Sequence, residues 1–333
     1  MTDLPQRLEE ILLGGKRRYT RLEVAAKSGV PLERATELWH SLGFAAVPDD
    51  AVVFTDGDLA ALRTANELIQ AGITDPAQAS ALARVMGQQL GRLAESQVET
   101  LRDILVADPE LAADERALSR FIERLVPDLE RLQSFSWRRH LAAYSGRALA
   151  AQGDDTDARH EVVGFADMVG FTAFTRRSSE AELVSVVDRF DAVTAEVVAE
   201  AHGRIVKMIG DEVLFTAGGP ERGAEIALTL LERAEELAEL PLLRAGLAYG
   251  RVLNRFGDVY GSVVNLASRL ASIARPGTVL IDRELADALA DHPSYVIRHR
   301  RPVSVRGYAR LRASVLRRAD AVRVPRLPLE PEG

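Results

Sequence analysis

Apolar residues recur at helical spacing in Asp58–Ile69, Pro76–Gln88, Val98–Leu105 and Ser119–Leu132, so residues 1–135 read as all-helical. Within them, Arg21–Phe44 predicts helix, turn, helix. Gly29 falls in the turn, and Pro31 opens the second helix, where a missing N–H is harmless. Trp137–Gln152 predicts another helix, which runs into the charged, turn-forming stretch GDDTDARHE. Residues 136–157 are therefore expected to connect two domains. Beyond them the period shortens. Glu161–Ala166 is a short apolar strand ending at Asp167. Ser179 and Glu182 make a capping box that opens a helix to Ala201, closed by Gly203. Arg204–Met208 and Glu212–Phe215 are strands around the turn Ile209-Gly210-Asp211. Helix Glu221–Leu240, strands Leu243–Tyr249 and Val252–Arg255, helix Ser262–Ala274 and strand Thr278–Ile281 follow. The order through residue 249 is βαββαβ, a ferredoxin-like antiparallel sheet with helices on one face. The expected class is α+β: a helical domain over 1–135, a sheet domain over 158–320, and a proline-rich, frayed tail over 321–333.

Length and charge sharpen this picture. A chain of 333 residues has room for two domains. It has no cysteine, which excludes disulfides, thiolate metal sites and cysteine nucleophiles. Its net charge of −7 argues against a nucleic-acid partner. The helix-turn-helix segment agrees: its second helix carries Glu33, Arg34 and Glu37, and residues 1–60 hold ten acidic against seven basic groups. No secretory signal and no integral membrane segment is visible, so a cytoplasmic protein is expected. Of 42 basic residues only Lys16, Lys27 and Lys207 are lysine. A lysine kept in so arginine-rich a chain is a candidate for work that a guanidinium cannot do.

Candidate chemistry gathers in the sheet domain. Asp167 ends the first strand, and Asp211 sits in the hairpin between the second and third. In a ferredoxin-like sheet the first and third strands are neighbours, so the two carboxylates can lie side by side. Such a pair repels unless a cation lies between them, and hard oxygen ligands suit Mg²⁺ or Mn²⁺ shared with phosphates. Gly170 permits a tight turn whose following N–H groups can cradle phosphate oxygens. Lys207 lies on the strand leading to Asp211; its ammonium can donate to a ring nitrogen of a base. Asp258 lies in a loop, and Asn265 and Arg269 are four apart on one helix face. Taken singly, each aspartate is as readily a turn residue, Lys207 an edge residue, and Asn265 with Arg269 a solvated pair.

Taken in order, FADMVGFT, KMIGDEVLF and GDVYGSVVNLASRL resemble the catalytic domain of class III nucleotidyl cyclases, over residues 158–318. The resemblance implies that Asp167 and Asp211, with the backbone of Met168, bind two Mg²⁺ or Mn²⁺ ions per site. It implies that Lys207 and Asp258 read adenine, that Gly170, Phe171 and Thr172 cradle phosphates, and that Asn265 and Arg269 stabilise the transition state. ATP would then be cyclised to 3′,5′-cyclic AMP and pyrophosphate. Two copies would dimerise head to tail, because family sites take their metal aspartates from one domain and their base-reading residues from the other. One departure stands out: in VRGYARL, residues 305–311, Tyr308 occupies the place of a phosphate-binding lysine, leaving Arg306 or Arg310 to substitute. The N-terminal half resembles the regulatory domain of actinobacterial soluble cyclases, which implies restraint of the catalytic domain and a response to pH. His140, beside Arg138 and Arg139, is the candidate sensor. Two alternatives stay open: a diguanylate cyclase-like enzyme, whose Gly-Gly-Asp/Glu-Glu-Phe turn is here Ile-Gly-Asp-Glu-Val, and a DNA-binding regulator whose cyclase-like domain only senses nucleotide.

Overall fold

A computed structural model describes residues 4–150, 158–305 and 308–319. The chain divides into two compact units, Met1–Gln152 and Gly153–Gly333.

The first unit is helical: α1 (Leu4–Leu12), α2 (Arg21–Ser28), α3 (Leu32–Ser41), α4 (Asp56–Gln70), α5 (Pro76–Ala107), α6 (Pro109–Ala113) and α7 (Glu115–Ala150). Local chemistry sets the starts. Thr20 with Glu23, Thr55 with Asp58, and Asp75 with Gln78 each close a reciprocal capping box. Gly29 ends α2 in the left-handed conformation, and Pro31 precedes α3, as the sequence pattern predicts. The core joins Val24, Ala35, Leu38, Leu59 and Leu62 around Trp39, which stacks on Phe54 at 4.5 Å. Two boundaries need correction. Val98–Leu105 is the end of α5 rather than a separate helix, and Trp137–Ala150 continues α7 through Pro127 rather than forming a separate connector. Residues 151–157 and the tail 321–333 lie outside the described residues. Arg34, the one arginine on α3, which has no lysine, is turned inward to the Pro76 carbonyl at 2.6 Å and the Ser80 hydroxyl at 2.9 Å. That leaves α3 without a free guanidinium or ammonium for a phosphate groove.

The second unit comprises β1 (Ala158–Met168), α8 (Phe171–Thr175), α9 (Glu180–Glu200), β2 (Arg204–Ile209), β3 (Glu212–Ala217), α10 (Pro220–Glu236), β4 (Leu243–Arg255), β5 (Asp258–Tyr260), α11 (Ser262–Ile273), β6 (Val279–Ile281), α12 (Arg283–Ala288), β7 (Tyr295–His299), β8 (Val303–Val305), β9 (Tyr308–Leu311) and β10 (Ser314–Arg318). The main sheet runs β2-β3-β1-β4-β6-β10-β7, with β5 added to β4 and a separate β8–β9 hairpin. Its first four strands have the expected ferredoxin-like order. The sheet is mixed, because β4 and β6 are parallel.

Helices cover both faces, not one. Val186, Phe190, Val193 and Val197 of α9 and Ile226, Leu230 and Leu231 of α10 bury Val162, Ala166 and Phe215 on the first face. On the second, Ala267 and Ala271 of α11 close over Val163, Phe165, Leu214 and Ala248. The close approach of α11 depends on Gly246, where a Cβ would lie 2.0 Å from the Ala271 amide nitrogen. β4 is continuous from Leu243 to Arg255 instead of two strands, so Asp258 belongs to a paired strand and not to a loop. The left-handed residue after α9 is His202 (φ 55°), not Gly203. Gly203 serves packing instead, since a Cβ there would meet Ile226 at 2.5 Å. Beyond Ile281, β10 is fastened to α10 by Arg318, which donates to Glu225 at 2.8 and 2.9 Å and to Glu232 at 2.7 Å.

Candidate active site

Strand register builds one end of the site. On the α11 side of the sheet, Asp167 of β1 lies between Glu212 of β3 and Arg244 of β4. Arg244 donates to one Asp167 oxygen, Oδ2, through Nε at 2.7 Å and Nη2 at 2.5 Å, and its Nη1 reaches the Ser272 carbonyl at 3.1 Å. The fork engages a single oxygen of the carboxylate and fixes its direction. Asp211 is adjacent, in the β2–β3 turn, and its carbonyl accepts from the Met168 amide at 3.0 Å. Burial, with the charge of Asp167, holds the Asp211 carboxyl above the ordinary range. Glu212 rises to about 7, through burial first and then the charges of Asp167 and Asp211, against Arg244. Three carboxyls thus share one guanidinium, a surplus of negative charge that a cation would relieve. Among the described residues no group of three or more His, Asp or Glu converges on one point. The donor set is two aspartates, hard oxygen ligands whose chemistry fits a divalent ion shared with phosphate oxygens.

The turn after β1 follows the sequence reading. Gly170 is left-handed (φ 78°) and caps α8, so the amides of Phe171 and Thr172 open its first turn. The Phe171 ring packs against the core and stacks on Phe174 at 6.0 Å. Met168 is buried, so only its backbone can serve the site.

The base-reading candidates also meet. Lys207 Nζ donates to Asp258 Oδ2 at 2.7 Å, joining β2 to β5. Burial pushes the Asp258 carboxyl up, but the Lys207 hydrogen bond, the Val259 amide and the charges of Lys207 and Arg204 outweigh it and hold it below the ordinary value. Lys207 stands opposite Leu214, itself on the face that carries Asp167. Asn265 and Arg269 are exposed on α11, and neither side chain has a partner among the described residues. Arg310 is exposed on β9, whereas Arg306 lies outside the described residues. His140 is exposed on α7, its ring 6.5 Å from that of Tyr144.

Nothing in the sequence alone points to Arg244 or Glu212. The signal for both is register, since each stands directly across from Asp167.

Residues 157–317 match the adenylate and guanylate cyclase catalytic domain, and residues 6–134 match the adenylate cyclase regulatory domain. The chain is 43% identical over 289 residues to an adenylate cyclase of Streptomyces coelicolor, covering 86% of this chain and 75% of that one. The chain belongs to the class III adenylate cyclases. An adenylate cyclase of Glutamicibacter nicotianae is 37% identical, covering 90% of this chain and 79% of its own. A pH-sensitive adenylate cyclase of Mycobacterium tuberculosis is 31% identical, covering 81% of this chain and 70% of its own. Among solved structures, the catalytic core of a rhodopsin-guanylyl cyclase with converted specificity, in complex with ATPαS, is 22% identical with a TM-score of 0.45, covering 48% of this chain and 96% of that one. Class III catalytic domains generally use divalent metal ions, which agrees with the surplus charge around Asp167. Among the described residues no helix is long and apolar enough to cross a membrane.

Proposed function

We propose that the chain converts ATP to 3′,5′-cyclic AMP and pyrophosphate at sites shared between two copies. The observation that carries this reading is the Lys207–Asp258 pair at 2.7 Å, on a sheet that also carries Asp167 and Asp211. The pair presents one donor and one acceptor. Adenine offers the complement: N1 accepts from lysine, and the 6-amino group donates to the carboxylate. Guanine reverses both, so GTP would leave two charged groups unpaired.

Asp167 and Asp211, with the Met168 backbone, would hold two Mg²⁺ or Mn²⁺ ions. Such ions lower the pKa of the 3′-hydroxyl and neutralise the triphosphate. Arg244, bonded to Oδ2 alone, keeps the Asp167 carboxylate aimed. The amides after Gly170, at Phe171 and Thr172, would take phosphate oxygens, with Arg306 or Arg310 in place of the family lysine. Asn265 orients the ribose for attack at the α-phosphorus, and Arg269 balances charge as the pyrophosphate leaves. The exposure of both side chains without partners supports their use on the second copy's substrate in a head-to-tail dimer.

Residues 6–134 would regulate this activity. Support comes from the regulatory-domain match and from the pH-sensitive relative. His140 is the proposed sensor, and a His140→Ala chain with the wild-type pH profile removes it from that role.

The test is cyclic nucleotide formation from ATP or GTP with Mn²⁺. Wild type should make cyclic AMP from ATP, and Asp211→Ala should make none. Asp211→Ala mixed equally with Asn265→Ala should regain about a quarter of wild-type activity, because half the dimers are mixed and each carries one intact site. A mixture as silent as its parts rules out the shared site.

A further inference from the structure

The connection from β4 to β5 is a two-residue hairpin turn: Arg255 pairs with Asp258 across Phe256 and Gly257. Both central residues are left-handed, with φ 52° at Phe256 and 83° at Gly257. This is the type I′ pattern, which selects Asn or Gly at its first central position. A bulky aromatic there is an outlier, whose strain persists only where the surroundings enforce it. Burial does not enforce it, since Phe256 is 44% exposed. Its ring meets the adjacent Arg255 guanidinium at 5.1 Å, a contact that moves with the turn.

The restraint comes from β2. Its register shifts between Ile205 and Lys207, so that Arg204 stands opposite Thr216 and Lys207 opposite Leu214. In a regular strand, residues three apart face opposite sides; the extra residue puts Arg204 and Lys207 on one side. Arg204 Nη1 donates to the Gly257 carbonyl at 2.9 Å, and Nη2 donates to Asn254 Oδ1 at 2.8 Å. One planar fork therefore spans the turn and the strand that leads into it. Asp258, the residue after the turn, is the partner of Lys207.

We propose that Arg204 is a positioning residue for base selection: it enforces the Phe256–Gly257 turn and so holds Asp258 opposite Lys207. This rests on the reading of Lys207 and Asp258 as the adenine contacts. Without the fork the turn relaxes towards an unstrained backbone, and Asp258 leaves its place. The 6-amino group then loses its acceptor, while the phosphate and metal end is untouched. The loss falls on discrimination between ATP and GTP and on KM for ATP more than on kcat.

The experiment compares the full chain with Arg204→Met, Phe256→Asn and the double variant. The readouts are kcat and KM for cyclic AMP and cyclic GMP formation, with thermal melting as a folding control. Arg204→Met should lower the ATP-to-GTP ratio of kcat/KM about tenfold, the worth of one charge-assisted hydrogen bond. Phe256→Asn supplies an Asn-Gly turn that forms unaided, so the double variant should return to within about threefold of wild type. A merely structural Arg204 would lower both activities alike, without rescue. An Arg204→Met chain with the wild-type ratio, or a double variant no better than Arg204→Met, overturns the assignment of Arg204 alone. A wild-type chain that makes no cyclic AMP overturns the adenylate cyclase reading, and this assignment with it.

Discussion

Replacing Arg244 by methionine tests whether one guanidinium organises the acidic end of the site. The change keeps the apolar stem and removes the fork. Two charge-assisted hydrogen bonds to Asp167, at 2.7 and 2.5 Å, and one to the Ser272 carbonyl, at 3.1 Å, are lost. The Asp167 side chain is 16% exposed and that of Arg244 31% exposed, so the pair is largely but not fully desolvated. Breaking a fully buried pair costs about 3–5 kcal/mol. Water entering from the open side reduces this to about 2–3 kcal/mol here. For a domain of this size that is a fall of about 4–12 °C in Tm. Urea unfolding of wild type, Arg244→Met, Asp167→Asn and the double variant would measure it as a cycle. The expected coupling between Arg244 and Asp167 is about 1.5–3 kcal/mol. Arg244→Lys keeps the charge without the fork and should fall between wild type and Arg244→Met. A coupling below about 0.5 kcal/mol, the scatter of unrelated sites, would refute the reasoning.

Three further outcomes follow from packing and burial. Asp282 caps α12 and accepts from the Leu285 and Tyr249 amides, yet burial, helped by the charge of Glu284, raises its carboxyl to about 7. The native state then keeps a proton that the unfolded chain releases from about pH 4 upward, so stability falls as pH rises to 7. Asp282→Asn keeps an acceptor and should flatten that slope by on the order of 2–4 kcal/mol in urea titrations at pH 5 and 8, and an unchanged slope counts against it. Gly246→Ala would drive a Cβ into the Ala271 backbone at 2.0 Å, displacing α11 at a cost of about 3 kcal/mol, with cyclic AMP formation falling as Asn265 and Arg269 move. Phe190→Ala leaves a void under the α9–α10 layer and should destabilise by about 3–5 kcal/mol in the same titration.

The ferredoxin-like core was legible because its signals are local. The Ser179–Glu182 capping box starts α9 where the pattern predicts, and short apolar runs mark β1 and β3. Misreadings occur where tertiary context decides. Gly250 looks like a strand end, but β4 passes through it because β1 pairs with it along its whole length, from Ala158 opposite Leu253 to Met168 opposite Leu243. Helices on the second face could not be read from the amphipathicity of α11 alone, because its apolar stripe fits either side of a sheet. The deciding fact is Gly246, whose missing Cβ opens the space that α11 fills. In sequence Gly203 reads as a helix stop, yet its role is contact, and His202 takes the unusual backbone instead.

At the site, rarity and register carry different information. Lys207 stood out because all but three of the 42 basic residues are arginine. The same bias hides Arg204 and Arg244: among so many arginines, each reads as surface. What separates them is which residue lies across the strand, and for Arg204 that depends on one extra residue in β2. A bulge has no composition of its own, so the pairing of Arg204 with the β4–β5 turn could not be read in one dimension. Motif residues are legible because the chemistry dictates their type. The residues that hold them in place are dictated by geometry, and several types would serve in sequence although only one reaches in space. In this chain both holding residues are arginines with two donors committed near a site carboxylate, Arg244 directly on Asp167 and Arg204 on the turn beside Asp258. A planar fork fixes direction as well as distance. That property is what an open site needs if, as proposed, its own aspartates serve metal and base.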